Sequence, residues 1–432
     1  MPVNTKANNT IDKVRELQRG LYQCAKNNRQ RRFHALYDKV HRMDVLWKAW
    51  DIVRKNKEAG GVDEMTIGEI EDAGVEVFLL EISEALEGGD YRPRPVKRTY
   101  IPKKDGKKRP LGLPTVKDKV VQTAAKIVME PIFEADFRDC SFGFRPKRNQ
   151  HQALEVIRKK CNNKGWWVLD ADIKGYFDNI DHEKLMKLVE KRICDRRMTK
   201  LVRLWLKAGV MEDGHVIETE TGSAQGASIS PLLSNIYLNV LDCYWEKNYS
   251  HLGTLVRFAD DFVIIAKTKK DIGHAYKAVA YVMAKLGLQL NLEKTRFVNM
   301  YDGKDGFDFL GFHHRRSQME TRKGRRYTTT AQVPSKKAKK AMREKIKEVF
   351  QSRSSPLLEV QEVVRILNPK IVGLRNYYGL KHAKKALNTL DWYVTKRLIL
   401  WYNMKHQKKR RLGGYRKIVH LLDSAGLKKL AA

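Results

Sequence analysis

Two adjacent aspartates, Asp260 and Asp261, separate two apolar runs of the chain. The runs Thr254–Phe258 and Phe262–Ala266 have the composition of short β-strands, so the pattern predicts a β-hairpin with both carboxylates at its tip. A polar two-residue turn is the alternative interpretation, since aspartate is common in turns. Because two adjacent anions repel each other, the pair favours a site that binds a cation.

A second acidic segment supplies further carboxylates. The apolar run Trp166–Ile173 predicts a strand with Asp170 and Asp172 on one face, two residues or roughly 6.5 Å apart. The aspartate nearer the end of the strand is better placed to meet the hairpin. Three carboxylates from two strands can hold two divalent ions about 3.5–4 Å apart, which activate a 3′-hydroxyl and stabilise a leaving pyrophosphate. Oxygen ligands and substrate phosphates favour Mg²⁺.

The elements that must position these acids mix short β-rich runs with amphipathic helices between residues 76 and 315. Strands interleaved with helices, together with hairpin signals, predict an α+β domain. The other elements that the pattern indicates there are a strand at Lys97–Pro102 and helices at Val120–Phe133, His182–Lys191 and Ile272–Leu286.

The two ends of the chain differ from this central part. Residues 1–75 predict a basic helical extension. The polar stretch His313–Lys323 predicts a linker or loop, after which the chain looks wholly helical. Asn368-Pro369 predicts the N-cap and first residue of one of these helices. Residues 331–432 contain 25 lysines and arginines against 6 acidic residues, so this part alone carries +19.

The whole chain of 432 residues carries a formal net charge of +35, from 85 lysines and arginines against 50 acidic residues. A solvated basic face is the alternative explanation. A charge this one-sided indicates a polyanionic partner, with nucleic acid ahead of an anionic membrane. No apolar run approaches the roughly 20 residues of a membrane-spanning helix, so we expect no membrane partner.

Five scattered cysteines without a CxxC pair argue against structural zinc and against a disulfide framework. The N-terminus lacks the apolar segment of a signal peptide. These features predict a cytoplasmic protein in a reducing compartment.

The acidic segments belong to a series of motifs that extends from about residue 35 to about residue 405. Asp172 is followed five residues later by an aromatic residue, then by Gln225-Gly226 and by Phe-Ala-Asp-Asp at 258–261, an order that resembles the palm motifs of reverse transcriptases. The whole series resembles group II intron-encoded reverse transcriptase/maturases of the bacterial type. Further motifs that carry this resemblance are residues 101–103, 109–115, 141–146, 230–235, 290–295 and 309–312.

The resemblance implies an α+β right-hand polymerase fold, in which fingers and palm with an antiparallel sheet precede an all-helical basic thumb/maturase domain. The corresponding ranges are 1–75 for the N-terminal extension, 76–315 for the reverse transcriptase domain and 330–432 for the RNA-binding thumb. The activity implied is that of an RNA-directed DNA polymerase, which copies RNA into cDNA by two-metal nucleotidyl transfer. A maturase would also bind its group II intron RNA to assist splicing and retrohoming.

The family motifs, carried over to this sequence, assign three catalytic metal ligands for two Mg²⁺ ions, namely Asp172, Asp260 and Asp261. Lys103 and Arg109 match positions that grip the incoming triphosphate, and Gln225 and Gly226 match positions that line the template and nucleotide pocket.

Two further substrate-binding residues each have an alternative role. Phe177 matches a steric gate that excludes a ribose 2′-hydroxyl, and ordinary core packing is its alternative. Lys294 is a candidate general acid toward pyrophosphate, or else a simple phosphate contact.

The partners implied are the group II intron RNA, an RNA template with a DNA primer, and dNTPs. No zinc-binding cluster of cysteines and histidines follows residue 243, so we expect no HNH endonuclease domain, and the priming route stays open. A domesticated reverse transcriptase in defence or repair is one alternative function. A non-catalytic RNA-binding splicing factor is another, which the presence of all three aspartates argues against. The sequence determines neither the intron, the DNA target nor the oligomeric state.

Three departures from the family pattern are present, one of which is Glu58 and Glu64, where glycine is commoner in the N-terminal turn. Phe258 stands where tyrosine is usual, which removes one hydroxyl and leaves the acids intact. Ala227 stands where glycine is usual and restricts the backbone, so we expect an effect on fidelity or nucleotide selection.

Overall fold

The computed structural model of the protein describes residues 5–56, 59–102, 108–212, 215–217, 221–320, 324–351, 357–407 and 414–431, apart from the side chains of residues 5–11 and 109. The chain divides into two compact units. The first consists of Met1–Ala153 and Leu169–Arg296, and the second of Leu154–Val168 and Phe297–Ala432. The three aspartates assigned as metal ligands all lie in the first unit.

Helices and short strands alternate along most of the chain. The helices are α1 (Thr5–Asn27), α2 (Tyr37–Val40), α3 (Met43–Lys55), α4 (Ile67–Ala73), α5 (Val75–Gly88), α6 (Val116–Glu134), α7 (Gln150–Asn162), α8 (His182–Glu190), α9 (Arg196–Lys207), α10 (Ser230–Tyr244), α11 (Lys269–Leu286), α12 (Lys336–Lys347), α13 (Val360–Tyr378), α14 (Lys384–Lys405) and α15 (Tyr415–Ser424). The strands are β1 (Val96–Pro102), β2 (Lys108–Leu113), β3 (Trp167–Ala171), β4 (Val210–Glu212), β5 (His215–Ile217), β6 (Thr254–Phe258), β7 (Asp261–Ala266), β8 (Arg296–Asn299), β9 (Gly306–Phe309), β10 (Phe312–Glu320) and β11 (Arg326–Pro334).

Helix α6 is the central helix of the first unit. Its side chains are apolar around most of its circumference and buried, and α1 and α3 pack against it. Thr115 precedes the helix and accepts a hydrogen bond from the backbone N–H of Asp118 at 3.0 Å. Such an N-cap satisfies a donor that helix geometry leaves unpaired and contributes about 1 kcal/mol.

The sheet that carries the acidic hairpin has the strand order β6-β7-β3-β8. Strands β6 and β7 are antiparallel neighbours, with Phe258 opposite Asp261, as the sequence predicted. Helix α11 follows β7 and packs against it, after Thr268 caps its first turn. Another sheet, which lies within the first unit, has the order β2-β1-β4-β5, with β1 and β2 antiparallel.

The second unit contains an antiparallel sheet of order β11-β10-β9 ahead of its helices. The prediction of a linker at His313–Lys323 is therefore wrong for the described part of that stretch. The prediction that only helices follow is also wrong, because β11 extends to Pro334. Backbone pairing on both sides fixes β10 as a strand, with Phe312 and His314 buried. Its other positions are mostly polar, which hid the period-two pattern.

The remaining helices form a hydrophobic cluster of their own within the second unit. Helix α13 continues through Pro369, so the predicted helix start at Asn368-Pro369 is wrong. The amide of Asn368 instead donates to the carbonyl of Gly426 and accepts from the N–H of Lys428. Members of the cluster from four helices include Met342, Ile346, Leu367, Ile371, Leu390, Leu398 and Leu422.

The predicted α+β class is confirmed by these elements. Within the described residues, no helix has both the length and the apolar composition needed to cross a membrane.

Candidate active site

The turn between β6 and β7 places the two aspartates at different points of the hairpin. Ala259 and Asp260 form the turn, and Asp261 is the first residue of β7. Ala259 has a φ of +57°, in the left-handed region that non-glycine residues adopt uncommonly. The hairpin thus depends on contacts that hold its turn in an unfavourable backbone conformation.

The hairpin lies close to the acids of the neighbouring strand. Asp172 directly follows β3, which is next to β7 in the sheet. The pKa of Asp261 is raised from 3.8 to about 6. The first cause is desolvation by surrounding protein atoms, and the second is repulsion by the carboxylates of Asp260, Asp172 and Asp170. Since the residue as a whole stays exposed, its desolvation is partial, and the repulsion is what a bound cation would remove.

Basic side chains balance part of this negative charge. The Nζ of Lys294 lies 2.8 Å from Oδ2 of Asp172, which also accepts from the side-chain amide of Asn291 at 3.2 Å. Arg296 Nη2 lies 2.9 Å from Oδ2 of Asp170. Both cations are more than half exposed, so each pair contributes little to stability and can separate at little cost.

The acids fit a divalent metal site in their chemistry, since carboxylate oxygens are the ligands that Mg²⁺ prefers. Among the described residues, no group of three or more His, Cys, Asp or Glu side chains is already close enough to hold a metal ion. The contact between Lys294 and Asp172 gives a physical reason, because an ammonium group bonds one oxygen that a metal would use. The four carboxylates nevertheless produce the local repulsion that a cation relieves.

A cleft of about 620 Å³ opens beside the hairpin. Its wall includes Asp260, Phe177, Gln225 and Gly226, so residues from three separate motifs lie around one cavity. The structure therefore brings together the turn of the acidic hairpin with three of the predicted substrate-binding residues.

Gly226 is held directly against strand β2. Its φ is +115°, and a Cβ at this position would lie 2.8 Å from the carbonyl oxygen of Gly112. The neighbouring Gln225 accepts a hydrogen bond from the N–H of Gly112 at 2.8 Å. Both the backbone angle and the close approach require glycine here.

Phe177 lies on the short 3-10 helix Tyr176–Asn179, just after Asp172. Its ring packs edge-on against Tyr176 with 5.2 Å between ring centroids, and its carbonyl accepts from the N–H of Ser223. The hydroxyl of Tyr176 donates to the carbonyl of Ser234, which ties the segment to α10. Phe177 is half-buried and its side chain borders the cleft.

Comparisons with known proteins found two matching family models and several related proteins. Residues 101–314 match the family model of reverse transcriptases (RNA-dependent DNA polymerases), and residues 339–419 match that of the group II intron maturase-specific domain. The protein YkfC of Escherichia coli (strain K12) is 34% identical over 364 residues, covering 76% of this chain and 94% of YkfC. Group II intron-encoded protein LtrA of Lactococcus lactis subsp. cremoris is 30% identical over 457 residues, covering 87% of this chain and 75% of LtrA.

The chain belongs to the group II intron-encoded reverse transcriptase/maturase family. It is an RNA-directed DNA polymerase with a maturase domain, so the predicted family, right-hand polymerase fold and enzyme class are confirmed. Dependence on a divalent metal and an RNA partner follow from this membership.

Two residues, Lys103 and Arg109, are predicted to bind the incoming triphosphate. Lys103 lies outside the described residues, and so does the side chain of Arg109. The backbone of Arg109 pairs with Ile101 between strands β2 and β1. The backbone of Arg109 therefore belongs to the antiparallel pair β1–β2.

The reverse transcriptase cleft also contains residues that the sequence analysis did not assign. Lys48, Ile52 and Asn56 line it from α3 and from the residue just after that helix, and Gln18 lines it from α1. The spacing of four residues between 48, 52 and 56 indicates one helix face. The sequence shows this spacing, but it does not show that this helix face lines the cleft.

We expect Gly226→Ala to lower the rate of primer extension roughly tenfold or more, because the added methyl group forces Gly226 away from β2 and deforms the cleft. Steady-state extension of a DNA primer on an RNA template measures this effect. Gly273→Ala is the matched control, since a Cβ there meets nothing within 4 Å. Equal rates for the two variants would show that the cleft tolerates the displacement.

Proposed function

We propose that this reverse transcriptase joins dNTPs to a DNA primer on an RNA template at a site formed by Asp172, Asp260 and Asp261, with two Mg²⁺ ions. The pKa of Asp261 is raised first by desolvation and then by repulsion from Asp260, Asp172 and Asp170. The supporting observation is that these carboxylates crowd together, since Asp172 directly follows β3, the strand beside the hairpin. Such crowding is unfavourable without cations. A site that has to bind divalent ions during each catalytic cycle accounts for it.

The sheet supplies the geometry for this chemistry. Asp172 at the end of β3 and the hairpin of β6 and β7 come from neighbouring strands, so strand spacing limits the distance between the ligands. When bound, the two ions would promote loss of the primer 3′-hydroxyl proton and neutralise charge on the leaving pyrophosphate. Lys294 would then release Asp172, and its ammonium group would be available for phosphate oxygens or for protonating pyrophosphate.

We further propose that Phe177 is the steric gate of the nucleotide pocket. Its position on the cleft wall with Asp260 and Gln225 supports this role over simple core packing, because a core residue would be fully buried. The edge-on contact with Tyr176 fixes the ring. Gln225 and Gly226 would line the pocket for template and nucleotide, and Lys103 and Arg109 would hold the triphosphate.

We propose that the chain comprises an extension at residues 1–75, fingers and palm at 76–315 and a thumb at 330–432. We assign the maturase function to the helical thumb. Helix α12 supports this proposal, because it buries Ala338, Met342 and Ile346 while its lysines face solvent. An array of exposed cations is suited to RNA phosphates. We infer that this surface binds the group II intron RNA in splicing and retrohoming.

The five cysteines are free, in keeping with a proposed cytoplasmic location.

Asp260→Ala should reduce primer extension by roughly 10³-fold, because it removes a ligand for transition-state charge. The measurement is single-nucleotide incorporation on an RNA template with dNTPs and Mg²⁺, with RNA binding measured in parallel. Asp302→Ala, at a half-exposed aspartate in the second unit, is the control and should extend normally. Extension by Asp260→Ala at the rate of the native protein would refute the assignment of the site.

Phe177→Ala should admit ribonucleotides, because the smaller side chain leaves room for a 2′-hydroxyl. We expect the preference for dNTP over NTP, measured as a ratio of kcat/KM values, to fall by roughly 10²-fold or more. Phe297→Ala replaces an exposed phenylalanine of the second unit and should leave that ratio unchanged. Undiminished discrimination in Phe177→Ala would favour the core-packing interpretation.

The exposed lysines of α12 should contact RNA phosphates. Replacing the exposed residues Lys336, Lys340 and Lys347 with Gln should flatten the plot of log K against log salt by up to about 2 units, at about 0.7 per lost contact with single-stranded RNA. Fluorescence anisotropy with a labelled RNA oligonucleotide measures the slope. The same change at three exposed lysines of α11, Lys270, Lys277 and Lys285, removes equal charge and should leave the slope unaltered. Equal slopes in both triple variants would place the RNA contacts elsewhere.

A further inference from the structure

The first unit buries a complete ion pair directly behind the acidic hairpin. Arg257, on β6, and Asp242, on α10, have side chains with no solvent exposure. The Nε of Arg257 donates to Oδ1 of Asp242 at 2.9 Å, and its Nη2 donates to Oδ2 of the same carboxylate. Burial of both charges offsets most of their attraction, so the pair adds little net stability. The pair instead fixes the orientation of both side chains, because each hydrogen bond requires a defined geometry.

The remaining nitrogen of this guanidinium reaches the turn itself. Nη1 of Arg257 donates to the carbonyl oxygen of Ala259 at 2.9 Å and to Oδ1 of Asn235 at 3.1 Å. Ala259 is the residue with the left-handed backbone, and it immediately precedes Asp260. A buried charge therefore holds the carbonyl of the strained residue that presents the first aspartate.

Asn235 extends the same network to a third segment of the chain. Its side-chain amide donates to the carbonyl of Gly143 at 2.9 Å. A Cβ on Gly143 would lie 2.4 Å from the backbone nitrogen of Ala259, so this segment presses directly on the turn. Backbone bonds from Arg257 to Cys140 and from Phe142 to Arg257 align the segment with β6.

Helix α10 is the support from which this network acts. Asn235 and Asp242 are seven residues apart, which places them on one face of the helix two turns apart. Both are fully buried. One face of α10 thus accepts hydrogen bonds from three nitrogens of Arg257.

We propose that Arg257, Asp242 and Asn235 are positioning residues for catalysis, which fix the Ala259–Asp261 turn in the conformation needed to bind metal ions. This inference rests on the proposed role of Asp260 and Asp261 as ligands. Displacement of a catalytic group by about 1 Å can lower a rate by roughly 10²-fold. A lysine at position 257 keeps the charge but concentrates its donors at one atom, so it cannot serve Asp242, Asn235 and Ala259 together.

Arg257→Lys and Asn235→Ala test this proposal. Asn235→Ala leaves no buried charge unpaired, so it is the variant expected to fold if Arg257→Lys does not. The control is Arg192→Lys, which replaces another buried arginine whose Nη groups bond the carbonyls of Ala25, Asn28 and Arg29, away from the hairpin. Thermal unfolding of each variant measures the loss of stability, which is compared between variants of similar Tm.

Two measurements separate positioning from general destabilisation. Arg257→Lys should lower kcat by roughly 10- to 100-fold and raise the Mg²⁺ concentration for half-maximal rate, with KM for primer and template unchanged. Asn235→Ala should change the same quantities less. In the free protein, amide hydrogen exchange at residues 256–262 should be faster in both variants, and Mn²⁺ binding measured by electron paramagnetic resonance should be weaker. Arg192→Lys should alter neither exchange at these residues nor metal dependence.

Native hairpin exchange and native metal dependence in both test variants would overturn the proposal. A change of equal size in Arg192→Lys at the same Tm would overturn it as well, because the effect would then follow stability alone. The exchange measurement does not require polymerase activity. Loss of the proposed site assignment, shown by a fully active Asp260→Ala, is therefore distinguishable from failure of the positioning network.

Discussion

Repulsion between carboxylates is the constraint on which the rest of this structure depends. The pKa of Asp261 is raised first by desolvation and then by the neighbouring charges of Asp260, Asp172 and Asp170. Left alone, such a cluster would move apart, because like charges separated by a flexible turn lower their energy by separating. The fold prevents this at the hairpin, where Arg257 holds the carbonyl of Ala259 from behind. Exposed cations in front, such as Lys294, compensate part of the charge and can be displaced.

The rigid and the exchangeable contacts differ in their surroundings. Behind the hairpin, Arg257 and Asp242 are fully enclosed, so water does not compete for their hydrogen bonds. In front, Lys294 and Arg296 are largely exposed, and their bonds to the acids are weak in net free energy. A polymerase site needs both, since its ligands must stay in place while substrates and ions come and go.

The two units differ in where their acidic and basic side chains lie. The first unit gathers four aspartates around its hairpin, whereas the helices of the second present lysines to solvent around an apolar cluster. We propose that this division follows from the opposite requirements of two partners, divalent cations at the first unit and RNA at the second. Divalent cations need carboxylates, and an RNA backbone needs cations.

The sequence by itself determined the family, the α+β class and the residues of the acidic motifs, since adjacent acids between apolar runs have few structural uses. It also predicted β6 with its bounds, because a short apolar run followed by a tight turn is a local signal. It failed at β10, whose identity as a strand depends on pairing with β9 and β11 rather than on its own polar residues. It failed at Pro369 as well, because tertiary packing there outweighs the helix-start signal.

Only the tertiary structure decided which distant residues share a space. The face of α3 that lines the cleft, the network from α10 to the hairpin and the contact between Lys294 and Asp172 each join segments far apart in the chain. Local propensity carries no information about such pairs. Their energies arise from burial and distance, which exist only once the chain has folded.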